Sequence, residues 1–158
     1  MLRVSHGRRS QDTLADFLRE DDIESAAQEL EELELQDLGD VVALPGTNSL
    51  LDALPPERWA AVTSGGRNLM VARLHAAGLP IPEILIAAED VKEGKPNPEG
   101  YLKAAAELAV EAENCVVIEG APAGIAAGKA SRATVIAVAT SHSMDLLTEA
   151  DEVIPDLS

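Results

Sequence analysis

The chain is poor in aromatic residues, in cysteine and in positive charge. Phe17, Trp59 and Tyr101 are its only Phe, Trp and Tyr residues, 2% of the 158 positions. Its core must therefore be built from Ala, Val, Leu and Ile, a mix suited to a parallel sheet covered by Ala-rich helices. A single cysteine, Cys115, excludes an internal disulfide and any cysteine-based zinc site. It stands in the apolar run Cys115-Val116-Val117-Ile118 and reads as a small buried hydrophobe. Twelve basic residues face 28 acidic ones, a net charge of −16. A surface this acidic repels nucleic acid and anionic membrane. No apolar run approaches the ~20 residues that span a bilayer. The first residues lack the apolar stretch of a signal peptide, so a cytoplasmic protein is expected.

Hydrophobic residues make up 46% of the chain, enough for a real core. The pattern changes near Val41 to Gly46. Residues 1–40 hold twelve acids and four bases and carry two helical patterns. Gln11 to Arg19 places Leu14, Phe17 and Leu18 on one face, and Ser25 to Leu38 places Ala26, Leu30, Leu33 and Leu38 at helical spacing. The acids from Glu20 to Glu34 read as a solvated helix face, since no base or histidine is interleaved with them.

From Pro45 onward, short apolar runs alternate with helical stretches. Strands are expected at Trp59 to Val62, Ile84 to Ala87, Cys115 to Glu119, Thr134 to Ala139 and Glu152 to Ile154. Helices are expected from the glycines at 65 and 66 through Ala77, from Pro98 to Val110, from Gly124 to Ala130 and from Met144 to Ala150. This alternation implies βαβ units and a parallel, Rossmann-like sheet. The division is residues 1–44 as a small helical module and 45–158 as the α/β core.

In such a sheet, reactive groups gather at the carboxyl ends of the strands. Three strand ends carry suggestive residues. Thr63-Ser64-Gly65-Gly66 sets hydroxyls and free amides at a helix start, which suits either a phosphate cradle or an N-cap with a tight turn. Gly94-Lys95-Pro96-Asn97-Pro98 holds a lysine in a stiff frame, as a cation meant to meet a phosphoryl group requires. Glu119 follows an apolar strand and precedes the small-residue loop Gly120-Ala121-Pro122-Ala123-Gly124. It reads as a magnesium ligand, an orienting base or a helix-capping acid.

Taken in order, Thr63-Ser64-Gly65, Gly94-Lys95-Pro96-Asn97-Pro98 and Ile118-Glu119-Gly120-Ala121-Pro122-Ala123-Gly124-Ile125 closely resemble the haloacid dehalogenase superfamily. The likeness is to its β-phosphoglucomutase and sugar- or polyol-phosphatase branch. Ser5-His6-Gly7-Arg8-Arg9-Ser10-Gln11-Asp12-Thr13-Leu14 is similar to part of that branch's helical cap, and the resemblance runs from about Val4 to Leu157. It implies a Mg²⁺-dependent phosphatase acting on a small phosphorylated metabolite. Thr63 and Ser64 would bind phosphoryl oxygens, and Lys95 would neutralise charge as a catalytic and phosphate-binding cation. Glu119 would serve the metal, and His6 and Arg8 would face the substrate. Residues 1–44 would be a partial cap.

The sequence departs from that family at two points. Members use a D-x-D motif whose first aspartate attacks phosphorus and whose second is the acid and base. No two aspartates here stand two positions apart. The chain begins inside the cap, so the first, central strand and the nucleophile loop are expected to be missing, through truncation or a misassigned start. Gly120 also stands where the family has an aspartate, which weakens a magnesium site. Turnover is expected to be undetectable, leaving a non-catalytic phosphate- or phosphosugar-binding module or an interaction protein as alternatives. A missing central strand leaves three outcomes. Its neighbours pair directly, another chain supplies a strand through self-association at the gap, or the domain is unstable.

Overall fold

The computed structural model describes residues 6–158. Residues 1–5, where the expected cap segment begins, lie outside the described residues. Among the described residues, two helices come first: α1 (Ser10–Leu14) and α2 (Glu20–Gln36). The first turn of α2 carries Glu20, Asp21 and Asp22, charges that suit the positive end of the helix dipole. Ala27 is its one buried residue, and Leu33 stays 56% exposed. The acidic run is a solvated face, as its pattern implies. The helix expected from Gln11 to Arg19 is cut to α1, and Phe17 turns outward at 57% exposure. Arg8 reaches across the following turn to Asp16 at 2.8 Å, closing the chain on itself in place of a further helical turn.

The core contains five parallel strands in two separate sheets. β1 (Ala61–Val62) pairs with β2 (Leu85–Ile86). β3 (Val116–Glu119), β4 (Thr134–Val138) and β5 (Glu152–Ile154) form the second sheet in that order. Val116 aligns with Thr134, and Ile136 aligns with Glu152. Four helices complete the core: α3 (Thr47–Ala53), α4 (Arg67–Ala76), α5 (Glu99–Glu107) and α6 (Pro122–Ala130). Pro122 opens α6 at a position where the missing N–H costs nothing. The small residues of α6 let it lie on the sheet: a Cβ at Gly128 would stand 2.8 Å from Val135 Cγ2. The core cluster is Val117, Ile125, Ala133, Val135, Ala137 and Leu147. Its buried members are all aliphatic, and Tyr101 packs against them. Cys115 is only half-buried, at the entry to β3.

Several expectations are corrected. The helix expected from Met144 to Ala150 is a single 3₁₀ turn, Met144–Leu146. Leu147 is fully buried, and Asp151 exchanges hydrogen bonds of 2.8 Å with Val135 through its side chain and its amide. Too few residues remain between those anchors for another helical turn. The helix α3 carries no periodicity strong enough to be read from sequence. Direct pairing of the strands expected to flank a gap does not occur: β1 and β3 lie in different sheets. Between them runs an apolar groove of about 560 Å³, lined by Val62, Val116 and Ile118 with Leu50, Leu54 and Trp59 at its wall. Without a ladder on that side, β1 and β2 are held to two residues each.

Candidate functional site at the carboxyl rim

Sheet pairing fixes the first site residue. The Thr63 amide donates to Ile86 O at 2.9 Å, continuing the β1–β2 ladder by one step. Its Oγ1 accepts from the Gly65 amide at 3.1 Å, which leaves the hydroxyl proton available to a ligand. Ser64 is engaged differently: its hydroxyl donates to Gly7 O at 2.7 Å and ties the loop to the cap segment. Gly7 has φ +83° and lies against Ala121 and the first turn of α6, where a Cβ would come within 2.9 Å of Ala121 Cβ. Both the conformation and the close approach call for glycine there.

The lysine loop is braced by its own polar residues. The Asn97 amide donates to Gly94 O at 3.0 Å, and Asn97 Oδ1 accepts from the Glu99 amide at 2.9 Å. Glu99 Oε2 accepts from the amides of Lys92 and Glu93, both at 3.0 Å. Its bond from Lys103 and then those two amides lower the Glu99 carboxyl to about 2. The Lys95–Pro96 bond is cis. From this frame Lys95 Nζ donates to Val62 O at 3.2 Å and to Glu119 Oε1. Thr63, Ser64 and Lys95 therefore line one small void, together with Arg9 and Tyr101.

Glu119 closes the rim from the other sheet. Its side chain and that of Lys95 are only 12% and 11% exposed. Tyr101 OH donates to the same Oε1 at 2.5 Å, and the Gly120 amide donates to Oε2 at 3.0 Å. Lys95 Nζ lies 5.1 Å from the centre of the Tyr101 ring, within cation–π range. Burial pushes the Glu119 carboxyl up, but the Lys95 charge and the three hydrogen bonds outweigh it and hold the group below its usual range. Burial, then the Glu119 charge and hydrogen bond, hold the Tyr101 phenol protonated well above its usual range. A Cβ at Gly124 would overlap the Glu119 carboxylate, so α6 presents a glycine where the acid lies against its first turn.

The cap residues part company. Arg8 is committed within the cap, to Asp16 and to Asp12 O at 2.7 Å. Arg9 is the arginine that reaches the rim: it pairs with Asp12 at 2.8 Å and donates to Val91 O at 3.2 Å. His6 is exposed and stands edge-on to His142, ring centres 5.1 Å apart. His142 in turn lies 2.9 Å from Gly120 O. Arg67 is taken by Asp90 and Leu85 O, and Asn68 lines a polar cleft of about 380 Å³ between α2 and the Ser64 loop. Tyr101 and Arg9 were not singled out from sequence. A signal existed for Tyr101, because a lone tyrosine in an Ala-rich helix needs a polar partner for its hydroxyl when buried.

A divalent cation fits these residues poorly. Magnesium takes six oxygens in near-octahedral array and relies on one or two protein carboxylates. Glu119 is the one acid at the carboxyl end of β3, and its two oxygens already accept three hydrogen bonds. Gly120 adds no oxygen from a side chain. Among the described residues no group of three or more His, Cys, Asp or Glu is placed to hold a metal.

Residues 3–132 match the family model of haloacid dehalogenase-like hydrolases. Hexitol phosphatase A of Escherichia coli is 39% identical over 162 residues, covering 99% of this chain and 75% of that protein. Glycerol-1-phosphate phosphohydrolase 2 of Saccharomyces cerevisiae is 38% identical over 160 residues, covering 94% of this chain but only 64% of that protein. A hydrolase from Pseudomonas syringae superposes with a TM-score of 0.90 at 24% identity, over 99% of this chain and 77% of its own. A β-phosphoglucomutase from Clostridium difficile superposes with a TM-score of 0.82 at 23% identity, over 98% of this chain and 74% of its own. By the family model and by these relatives, the chain belongs to the haloacid dehalogenase-like hydrolases.

Proposed function

We propose that the chain carries the phosphoryl-recognition half of a haloacid dehalogenase-type sugar or polyol phosphatase, working in the cytoplasm. On this reading it binds the phosphate of a small phosphorylated polyol without hydrolysing it unaided. The observation that carries the reading is the meeting of Thr63, Ser64 and Lys95 around one void at the carboxyl rim. The Thr63 hydroxyl donates to a phosphoryl oxygen, and Lys95 supplies the positive charge from a braced loop. Ser64 contributes backbone and stiffness, its hydroxyl being spent on Gly7 O. The names of the relatives, a hexitol phosphatase and a glycerol-1-phosphate phosphohydrolase, support a polyhydroxylated substrate. The 158 residues contain no D-x-D pair to form an aspartyl-phosphate or to protonate a leaving oxygen.

The test pairs binding with turnover. Titrating inorganic phosphate and hexitol 6-phosphate into the ¹⁵N-labelled chain is expected to shift Thr63, Gly65 and Lys95 saturably, with no phosphate released. Lys95→Ala is expected to abolish the shifts. A flat titration would sink the reading of the rim, and measurable hydrolysis by this chain would sink the claim that it does not turn over.

A further inference from the structure

We infer that Glu119 in this chain is the fixed anchor of Lys95, not a metal ligand, and that Tyr101 is the positioning residue that holds it in that role. Three donors converge on one nearly buried carboxylate. Lys95 Nζ and Tyr101 OH share Oε1, and the Gly120 amide takes Oε2. The ring of Tyr101 also lies under the Lys95 ammonium at 5.1 Å. One phenol thus touches both members of the ion pair, through its hydroxyl and its face. A cation arriving at Glu119 would have to strip away these donors and leave an 11% exposed ammonium without its counter-charge. It would find no second carboxylate to complete its shell, since position 120 is glycine. Space is not what prevents one. A Cβ at Gly120 meets only Val138 O at 3.6 Å and Ser141 Oγ at 3.7 Å, ordinary contact distances. The missing acid is a matter of sequence, and the carboxylate that remains serves the lysine.

The inference stands apart from phosphate binding and is tested in the phosphate-free 158-residue chain. With ¹⁵N-lysine labelling, the Lys95 ammonium is expected to give a sharp, slowly exchanging signal. Tyr101→Phe keeps the ring and loses the hydroxyl bond, and is expected to broaden that signal away while the backbone spectrum stays folded. In a Glu119→Gln background the same substitution is expected to add nothing. Titrated with MgCl₂ at millimolar concentration, the wild-type Gly120 and Lys95 signals are expected to stay put. Those of Gly120→Asp are expected to move saturably. The inference is overturned if wild-type Gly120 and Lys95 shift with magnesium as the aspartate variant does. It is equally overturned if Tyr101→Phe leaves the ammonium signal unchanged. The wild-type titration and the phenylalanine variant decide the matter even if Gly120→Asp fails to fold.

Discussion

Lys95 and Glu119 show how a buried charge depends on its neighbours. Each is almost withdrawn from water, and each is neutralised by the other. Removing one partner strands the other's charge, which typically costs about 3–5 kcal/mol. Lys95→Met is therefore expected to destabilise the chain by roughly that amount in urea unfolding. Replacing both partners by apolar residues of similar volume is expected to recover most of the loss, since a well-packed apolar pair avoids the desolvation cost. A double variant as unstable as the single one would contradict this account. Gly124 gives a second prediction at the same scale. Gly124→Ala puts a methyl group where the Glu119 carboxylate lies, and crowding of this kind costs about 1–3 kcal/mol. The same urea series measures it, and a neutral result would mean that Glu119 moves aside freely.

At the scale of elements, the lysine loop depends on the start of α5. Glu99 gathers the Lys92 and Glu93 amides and pairs with Lys103 at 2.8 Å. Its carboxyl falls from 4.5 to about 2 in the folded chain. A carboxyl lowered on folding stabilises fully above its unfolded value, and that contribution is lost as pH falls toward its folded value. The loss is expected between about 4.5 and about 2. Melting temperatures of the wild type and Glu99→Gln are expected to differ at neutral pH and to converge at the acid end of that window. Parallel curves across it would show that the loop does not rely on this charge. Glu99 lies at the surface, so the effect is expected to be modest.

At the scale of the molecule, the dominant feature is the seam between the two sheets. Val116 and Ile118 are 59% and 43% exposed on β3, at the edge of the apolar groove. Unpaired strand edges beside exposed apolar side chains are templates for association. Concentration-dependent self-association through this seam is expected in sedimentation velocity. Ile118→Lys is expected to reduce it, because a charge on an open edge opposes strand addition. A monomer at all concentrations would remove the seam as an interface. The net charge of −16 works against the association, so added salt is expected to strengthen it.

The sequence by itself determined the alternation of strands and helices, the parallel sense of the sheets and the order of Thr63, Lys95 and Glu119 at the strand ends. Those features rest on periodicity and on strand-to-loop junctions, which act over a few residues. Only the tertiary structure decided which partner each charged group takes. Lys95 finds Glu119 from 24 positions away, and Arg9 finds Val91 O from 82. Nothing local separates Arg8 from Arg9, yet one turns into the cap and the other to the rim. The turn at Met144 was likewise set by Leu147 burying itself and Asp151 gripping Val135. Whether β1 and β3 meet was also beyond local pattern, because strand pairing is a long-range choice made by backbone groups that every residue shares.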